Sequence, residues 1–264
     1  MPVYRLPEAI LFPPVERAED TGRVKRFSIV IPVLHEEEEL DGLLTHLQGL
    51  PGAEECELLV VDGGEGETLR AVTRGGVLAL RTPRGRAKQL NAGAAAASGE
   101  ILLFLHADSR LPENALRRIA EAMQRPEIAG GAFDLGIDSD RPSLRFIASV
   151  ASLRSRITRV PYGDQAQFIR RDVFLRMGGY PDIPLMEDVA LMRRLRREGR
   201  RIRLIPERVL TSPRRWEKEG IVYTTVRNRI LMAAYSLGVS PERLARHYRS
   251  GRDVYGQDSR GVPR

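Results

Sequence analysis

Phe27-Ser28-Ile29-Val30-Ile31-Pro32-Val33, followed at once by Leu34-His35-Glu36-Glu37, decides the fold. A run rich in β-branched side chains that stops abruptly at charge predicts a strand buried on both faces. Leu40, Leu43, Leu44 and Leu47 then recur at helical spacing within Glu36 to Gln48, so a helix follows the strand. The pattern repeats downstream. Leu58-Leu59-Val60-Val61 stops at Asp62-Gly63-Gly64, Val77-Leu78-Ala79-Leu80 at Arg81-Thr82-Pro83, and Ile101 to Leu105 at His106-Ala107-Asp108. An alanine-rich helix from Arg86 to Ser98, closed by Gly99, precedes the last of these strands, and Pro112 opens another helix that ends near Arg125. Near-continuous apolar strands alternating with helices predict an α/β fold with a Rossmann-like, mostly parallel sheet flanked by helices. In such sheets the ligand crevice forms at the carboxyl ends of the strands, and three polar clusters stand at those ends: His35-Glu36, Asp62-Gly63-Gly64 and His106-Ala107-Asp108.

The second half changes rhythm. Gly131 to Ile137 reads as a strand, Pro142 to Ile157 as a helix, Phe168-Ile169 as a short strand after Tyr162-Gly163-Asp164-Gln165, Asp188 to Glu198 as a helix, and Arg201 to Ile205 as a strand. A last helix from Trp216 to Leu237 sets Val222, Val226, Ile230, Ala233 and Leu237 on one face, read as a packing face. The expected organisation is an extended lead-in over 1–26, one catalytic domain over 27–240 with a nucleotide-binding half (27–110) and an acceptor half (111–240), and a polar tail over 241–264.

The chain has 264 residues, enough to bury a sizeable core. With 42% hydrophobic and 29% charged residues it is neither collagen-like nor disordered throughout, and its single cysteine, Cys56, excludes an internal disulfide framework. No apolar run approaches the roughly 20 residues of a membrane helix, and Glu8 and Pro13-Pro14 interrupt any signal-peptide pattern, so a cytoplasmic location is expected. The formal charge of +7 is carried almost wholly by arginine, since lysine occurs only at Lys25, Lys88 and Lys218. That balance favours anionic partners without choosing among them.

Taken singly, the chemical residues are ambiguous. Asp108 at a strand end suits a hard cation that bridges phosphate oxygens, and it equally suits a turn or helix cap. Glu36, beside Glu37, Glu38 and Glu39, and the pair Glu187-Asp188 each open a helix, where acidic side chains are favoured without any catalytic reason. Cys56 has no evident histidine partner, and no phosphate loop, dinucleotide fingerprint or paired Cys-x-x-Cys motif is present.

The ensemble is more specific. Ile31-Pro32-Val33-Leu34-His35-Glu36-Glu37, Val60-Val61-Asp62-Gly63-Gly64, Gly85-Arg86-Ala87-Lys88-Gln89-Leu90-Asn91-Ala92-Gly93, Phe104-Leu105-His106-Ala107-Asp108, Met186-Glu187-Asp188 and Arg214-Arg215-Trp216 occur in an order and spacing that resembles glycosyltransferase family 2, from about Phe27 to Gly238. Within it, the Gly85–Gly93 and Tyr162–Gln165 segments look most like the arsenosugar-biosynthesis-type, radical-SAM/selenodomain-associated branch. The resemblance implies a GT-A (nucleotide-diphospho-sugar transferase) fold and an inverting transfer of a sugar from a nucleotide-diphosphate donor to a hydroxyl acceptor, assisted by Mg or Mn. By the same resemblance the nucleotide sugar is held by Pro32, Glu36, Asp62, Arg86, Lys88, His106, Asp108, Arg215 and Trp216. Asp108 holds the metal, Asp188 is the general base, and Asp164, Gln165 and Glu187 face the acceptor. His106 stands where the family usually has Asp, which leaves Asp108 as the one evident carboxylate there.

Three rivals stay open. Nucleotidyl transfer would use the same strand-end geometry. Nucleic-acid binding through Arg193-Arg194, Arg196-Arg197 and Arg200-Arg201 is disfavoured, because charge runs are usually solvated faces and aromatic interleaving is missing. A peripheral membrane contact through the last helix is set against the simpler packing role, and self-association is left undecided.

Overall fold

β2 (Phe27–Val33) is the strand from which the sheet grows, because it pairs in parallel on both sides. On one side it meets β3 (Cys56–Asp62), from Phe27 opposite Cys56 to Val33 opposite Asp62, and β3 pairs in parallel with β4 (Val77–Arg81). On the other it meets β5 (Ile101–Phe104). The computed structural model describes residues 10–11, 25–70, 72 and 75–249. Most of the expected lead-in and the tail beyond 249 therefore lie outside the described residues. Within them the remaining strands are β1 (Ile10–Leu11), β6 (Ser109–Arg110), β7 (Ile128–Ile137), β8 (Phe168–Arg170) and β9 (Arg201–Thr211), and the sheet runs β1-β4-β3-β2-β5-β8-β7-β9-β6.

The expected α/β class is observed, with antiparallel pairs at defined places. β1 lies antiparallel on β4, β6 antiparallel on β9, and β8 runs antiparallel between β5 and β7, while β7 and β9 are parallel. The reversal at β8 matters for function. Leu103 opposes Phe168, so the loop entering β8 arrives at the carboxyl end of β5. Ser109 opposes Thr211, which brings the exit of β9 to the same edge.

Both faces of the sheet are covered. On one, Ile29, Ile31 and Val33 pack with Leu40, Leu43, Leu44 and Leu47 of α1 (Glu37–Gln48) and with Leu116 and Ile119 of α4 (Ala115–Met123). On the other, Val30, Leu59 and Phe104 pack with Leu90 of α3 (Arg86–Ala96), Phe174 of α6 (Arg171–Arg176) and Leu191 of α7 (Glu187–Arg197). α2 (Glu67–Arg70) follows β3, and α5 (Pro142–Thr158) covers β7 through Leu144 and Ala148.

Three sequence expectations change. The strand expected over 201–205 continues to Thr211, because Pro206 and Glu207 bulge out of the ladder: Phe133 of β7 opposes Ile205, and the next residue, Asp134, opposes Arg208. The single helix expected over 216–237 is two, α8 (Arg214–Glu219) and α9 (Ile221–Ser236), separated at Gly220, whose φ of 91° is readily adopted only by glycine. The stripe read as its packing face is exposed: Thr224 and Leu231 face inward, while Val222, Val226, Ile230 and Leu237 face out. Residues of the expected tail form a further helix, α10 (Pro241–Arg249). Among the described residues no helix is long and apolar enough to cross a membrane.

Gly131 shows how tightly the second half is built. A Cβ there would stand 2.0 Å from the carbonyl oxygen of Arg203 on β9 and 2.5 Å from the Phe168 ring, so the strands themselves would have to separate. Gly131→Ala is expected to cost about 3 kcal/mol or more in chemical denaturation, the upper range for overpacking. A loss below about 0.5 kcal/mol, the range of a neutral surface change, would contradict this packing.

Candidate active site

Every segment singled out in the sequence arrives at one edge of the sheet. His35 and Glu36 leave β2, Asp62 ends β3, and His106 and Asp108 follow β5. Ser212 donates its backbone N–H to the Asp108 carbonyl at 3.2 Å, which fixes Arg214, Arg215 and Trp216 of α8 beside that turn. The 162–165 loop is pinned to the head of α7, where the Gly163 N–H donates to Asp188 Oδ2 at 2.6 Å. Three residues other than glycine take left-handed backbone angles around this edge: His35 (φ 55°), Ala166 (φ 48°) and Met186 (φ 68°). Such strain, of order 1–2 kcal/mol per residue, clusters at functional sites.

Arg86, at the start of α3, is the cation in the middle. Its guanidinium contacts His106 Nε2 and lies 3.3 Å from Glu187 Oε1. Burial, followed by the charges of Arg86 and Arg215, pushes the His106 imidazole well below its usual 6.5, so it is neutral and accepts from Arg86. Burial and then the charge of Asp108 push Glu36 up to about 7, against the opposing pull of the Leu34 backbone, Arg214 and Arg86. Burial also raises Asp108, opposed by Arg215 and Arg86. Glu187, only 4% exposed, is pushed up to about 7 by burial, with Arg86 opposing and Asp188 adding to the rise. Around one arginine the site thus gathers several carboxyls whose protons are held to unusually high pH.

The remaining donor-side residues divide. Asp62, 1% exposed, accepts the N–H groups of Gly64 at 2.9 Å and Gly66 at 2.8 Å and so shapes its own loop. Pro32 sits within β2 opposite Val61, and Lys88 Nζ lies 3.8 Å from Asp182. Trp216 packs with Leu135, Ile137, Leu144 and Ala148, and its buried indole N–H has no hydrogen-bond partner among the described residues. Arg215 stays exposed, with its guanidinium over the Tyr248 ring of α10. One residue missed in the sequence is a clamp: Gln89 donates from Nε2 to the carbonyls of Val33 at 2.7 Å and Val61 at 2.8 Å, tying together the ends of β2 and β3.

On the acceptor side, Gln165 differs from expectation. It is buried, its Oε1 accepts from Ser155 and from the Tyr162 N–H, and its Nε2 donates to the Phe133 carbonyl, so it holds the loop from beneath. Asp164 behaves otherwise. Burial and the charge of Asp188 push it up to about 6, against Arg154, Arg86 and Arg215, and its buried Oδ1 has no hydrogen-bond partner among the described residues. Nothing local in the sequence marks Arg154, whose guanidinium lies 3.2 Å from the Tyr162 ring centroid and has its pKa lowered to about 10 by burial. Nor did it reveal Gly163, where a Cβ would meet Arg86 at 2.5 Å, Asp188 at 3.2 Å and His106 at 3.4 Å. These contacts are long-range and leave no local pattern.

The donor set fits a divalent cation that arrives with a diphosphate. Magnesium and manganese accept one or two carboxylates and complete their shells with phosphate oxygens and water. Asp108 offers such a carboxylate, whereas His106 Nε2 is engaged by Arg86. Among the described residues no cluster of three or more His, Cys, Asp or Glu side chains forms a self-sufficient cage. Elsewhere, part of the arginine run on α7 is used internally: Arg193 donates to Ser236 and Arg196 to the Thr158 carbonyl. Cys56 is half-buried, and burial pushes its thiol up to about 12, which leaves it unreactive.

Residues 28–180 match the model of glycosyl transferase family 2. Among solved structures the chain is similar to the mannosyltransferase PcManGT from Pyrobaculum calidifontis in complex with GDP-Man and Mn2+, with a TM-score of 0.61 at 18% identity over 88% of this chain and 71% of that one. It is also similar to residues 1–349 of S. aureus TarS, with a TM-score of 0.56 at 17% identity over 83% of this chain and 68% of that one. The same TarS segment in complex with UDP-GlcNAc gives 0.56 at 18% over 71% and 58%. At these identities the likeness establishes the shared GT-A architecture. No curated protein sequence matches the chain.

The raised Glu36 carboxyl makes stability depend on pH. The folded chain keeps this proton up to about 7 while the unfolded chain releases it near 4.5, so the stabilisation is complete below the lower value and is lost as pH rises through the upper one. Glu36→Gln cannot ionise and escapes that loss. Its melting temperature relative to the parent protein is expected to rise between about pH 4.5 and 7 and then level off. A difference that stays constant across the window would refute the buried, Asp108-facing position.

Proposed function

This chain belongs to glycosyl transferase family 2, and on that premise we propose that it moves a sugar, read as a hexosyl group, from a nucleotide-diphosphate donor to a small hydroxyl acceptor with inversion at the anomeric carbon. The observation that carries this reading is the head of α7. There Asp188 is held by the Gly163 N–H beside the Arg86–His106 pair, facing the strand-end turn that bears Asp108. GDP-Man in the P. calidifontis enzyme and UDP-GlcNAc in TarS support a hexose nucleotide as donor, and the Mn2+ in the former supports a divalent cation. Gly85 to Gly93 and Tyr162 to Gln165 support the arsenosugar-type, radical-SAM/selenodomain-associated branch.

In this mechanism Asp188 takes the proton of the acceptor hydroxyl. Each of its oxygens already accepts one backbone N–H, from Gly163 at 2.6 Å and from Val189 at 2.7 Å, which fixes the carboxylate and leaves a lone pair on each for the acceptor. As the acceptor oxygen bonds to the anomeric carbon, the bond from that carbon to the diphosphate oxygen breaks, and the electron pair leaves with the phosphate. Attack opposite the leaving group inverts the centre. Negative charge develops on the diphosphate, where Arg86 and Arg215 offer guanidinium donors. A divalent cation on Asp108 would supply further neutralisation of the same charge. Glu36 and the Asp62 loop bind the nucleoside, and Asp164, Arg154 and Tyr162 border the acceptor.

Asp188→Asn preserves shape and keeps one acceptor oxygen for the Gly163 N–H, giving up the bond from the Val189 N–H, and it removes the base. It is expected to lower kcat by about 10²–10⁴, the usual range for a positioned general base, while changing donor affinity less than about threefold. Equal losses of turnover and donor affinity would assign Asp188 to donor binding and overturn its catalytic role. Release of pyrophosphate from a nucleoside triphosphate, in place of a nucleoside diphosphate, would establish nucleotidyl transfer instead.

A further inference from the structure

α5 and α9 are apolar on two opposite faces. At about 100° per residue, Leu144, Ala148, Ser152 and Ser155 form the buried face of α5. On the reverse face Phe146, half-buried Val150, Leu153 and Ile157 make a continuous stripe, with Phe146 68% and Ile157 74% exposed. α9 repeats the arrangement. Thr224 and Leu231 are buried, and Val222, Val226, Ile230 and Ala233 lead along the far side to Leu237, 86% exposed at the helix cap. Among the described residues nine large hydrophobic side chains are exposed, and all but Leu210 belong to these two helices or the Leu237 cap. Packing explains the inner faces and leaves the outer ones unexplained, since so local a concentration of exposed apolar surface marks a partner.

Charge selects the partner. α5 and α9 together contain five arginines, Arg145, Arg154, Arg156, Arg227 and Arg229, and no aspartate or glutamate. Arg145, Arg156 and Arg227 reach carboxylates outside the two helices, at Asp140, Asp134 and Glu219. Arg229 on α9 and Arg159 at the cap of α5 have no carboxylate partner among the described residues. A second copy joined by two-fold symmetry would set each arginine-edged stripe against its own likeness, basic against basic. An anionic lipid surface instead offers the acyl boundary to Phe146, Leu153, Ile157, Val226 and Ile230 and phosphate to the arginines beside them. We propose that α5 and α9 seat this protein on an anionic lipid surface. Half-buried Arg154, on the flank of α5, reaches the Tyr162 ring, so the residues that border the acceptor would lie within about one helix diameter, roughly 10 Å, of the lipid plane.

Co-sedimentation of the full chain with vesicles of phosphatidylcholine alone, and of phosphatidylcholine containing one part in four of phosphatidylglycerol, tests this. The protein is expected to sediment with the anionic vesicles at about 0.1 M salt, and less so at about 0.5 M, where headgroup charge is screened. The F146S/L153S/I157S variant, and separately V226S/I230S, should each lower the partition coefficient about tenfold or more with an unchanged melting temperature. Should a variant melt early, hydrogen exchange on the unmodified protein decides: vesicles are expected to slow amide exchange in α5 and α9. Failure of the protein to sediment with anionic vesicles would overturn the proposal. So would variants that bind as well as the parent, exchange unchanged by vesicles, or a dimer in light scattering that the variants make monomeric, which would assign the stripes to a second copy.

Discussion

The parallel pairing of β2 with both β3 and β5 is the constraint on which the rest depends. Parallel register aligns carboxyl ends, so the loops after three successive strands open onto one edge whatever their own sequences. The antiparallel insertion of β8 and the pairing of β6 with β9 then deliver the 162–167 loop and the head of α8 to that same edge. Gln89 reinforces the alignment from the helix side by donating to the carbonyl of Val33, the last residue of β2, and to that of Val61, one residue before the end of β3. A chain that mispaired β2 would scatter the polar clusters over several surfaces.

Electrostatics then determine what that edge can do. Carboxyl groups at Glu36, Asp108, Asp164 and Glu187 are all held above their usual range, with burial the largest cause in each case. Arg86 opposes that rise in every one of them, and Arg215 does so for Asp108 and Asp164. An anionic ligand bearing its own cation would complete this balance, as expected of a site preorganised for charge that develops on a leaving group. His106 belongs to the same arrangement. Buried between Arg86 and Arg215 it stays neutral and accepts a hydrogen bond, a role that needs no second carboxylate.

Much of this was legible in the sequence because it is local. Runs such as Leu58 to Val61 and Ile101 to Leu105 are too short and too apolar for anything but buried strands, and polar residues at their ends mark the functional edge. What escaped was long-range or two-sided. Arg154 sits mid-helix with no local sign that it meets Tyr162, and Gln89 looks like any polar helix residue until β2 and β3 are placed beside it. α9 misled for a different reason. A helix apolar on opposite faces supports two readings of which side is buried, and the side chosen from Val222, Val226 and Ile230 proved to be the outer one, with Thr224 turned inward against expectation. In β9, Pro206-Glu207-Arg208 interrupts the apolar run, so the sequence alone ends the strand at Ile205, whereas in the fold Pro206 and Glu207 bulge out and the pairing with β7 resumes at Arg208.

Under the proposed function the strand-end edge binds a nucleotide diphosphate through Arg86, Arg215 and a cation on Asp108. Calorimetric titration of UDP and GDP into the protein, with and without manganese and in parallel with Asp108→Ala, tests it most directly. One nucleotide is expected to bind, more tightly with manganese, and Asp108→Ala to abolish that manganese dependence. Binding that is equally tight without the metal and unaffected by Asp108→Ala, or no binding of either nucleotide to folded protein, would contradict it.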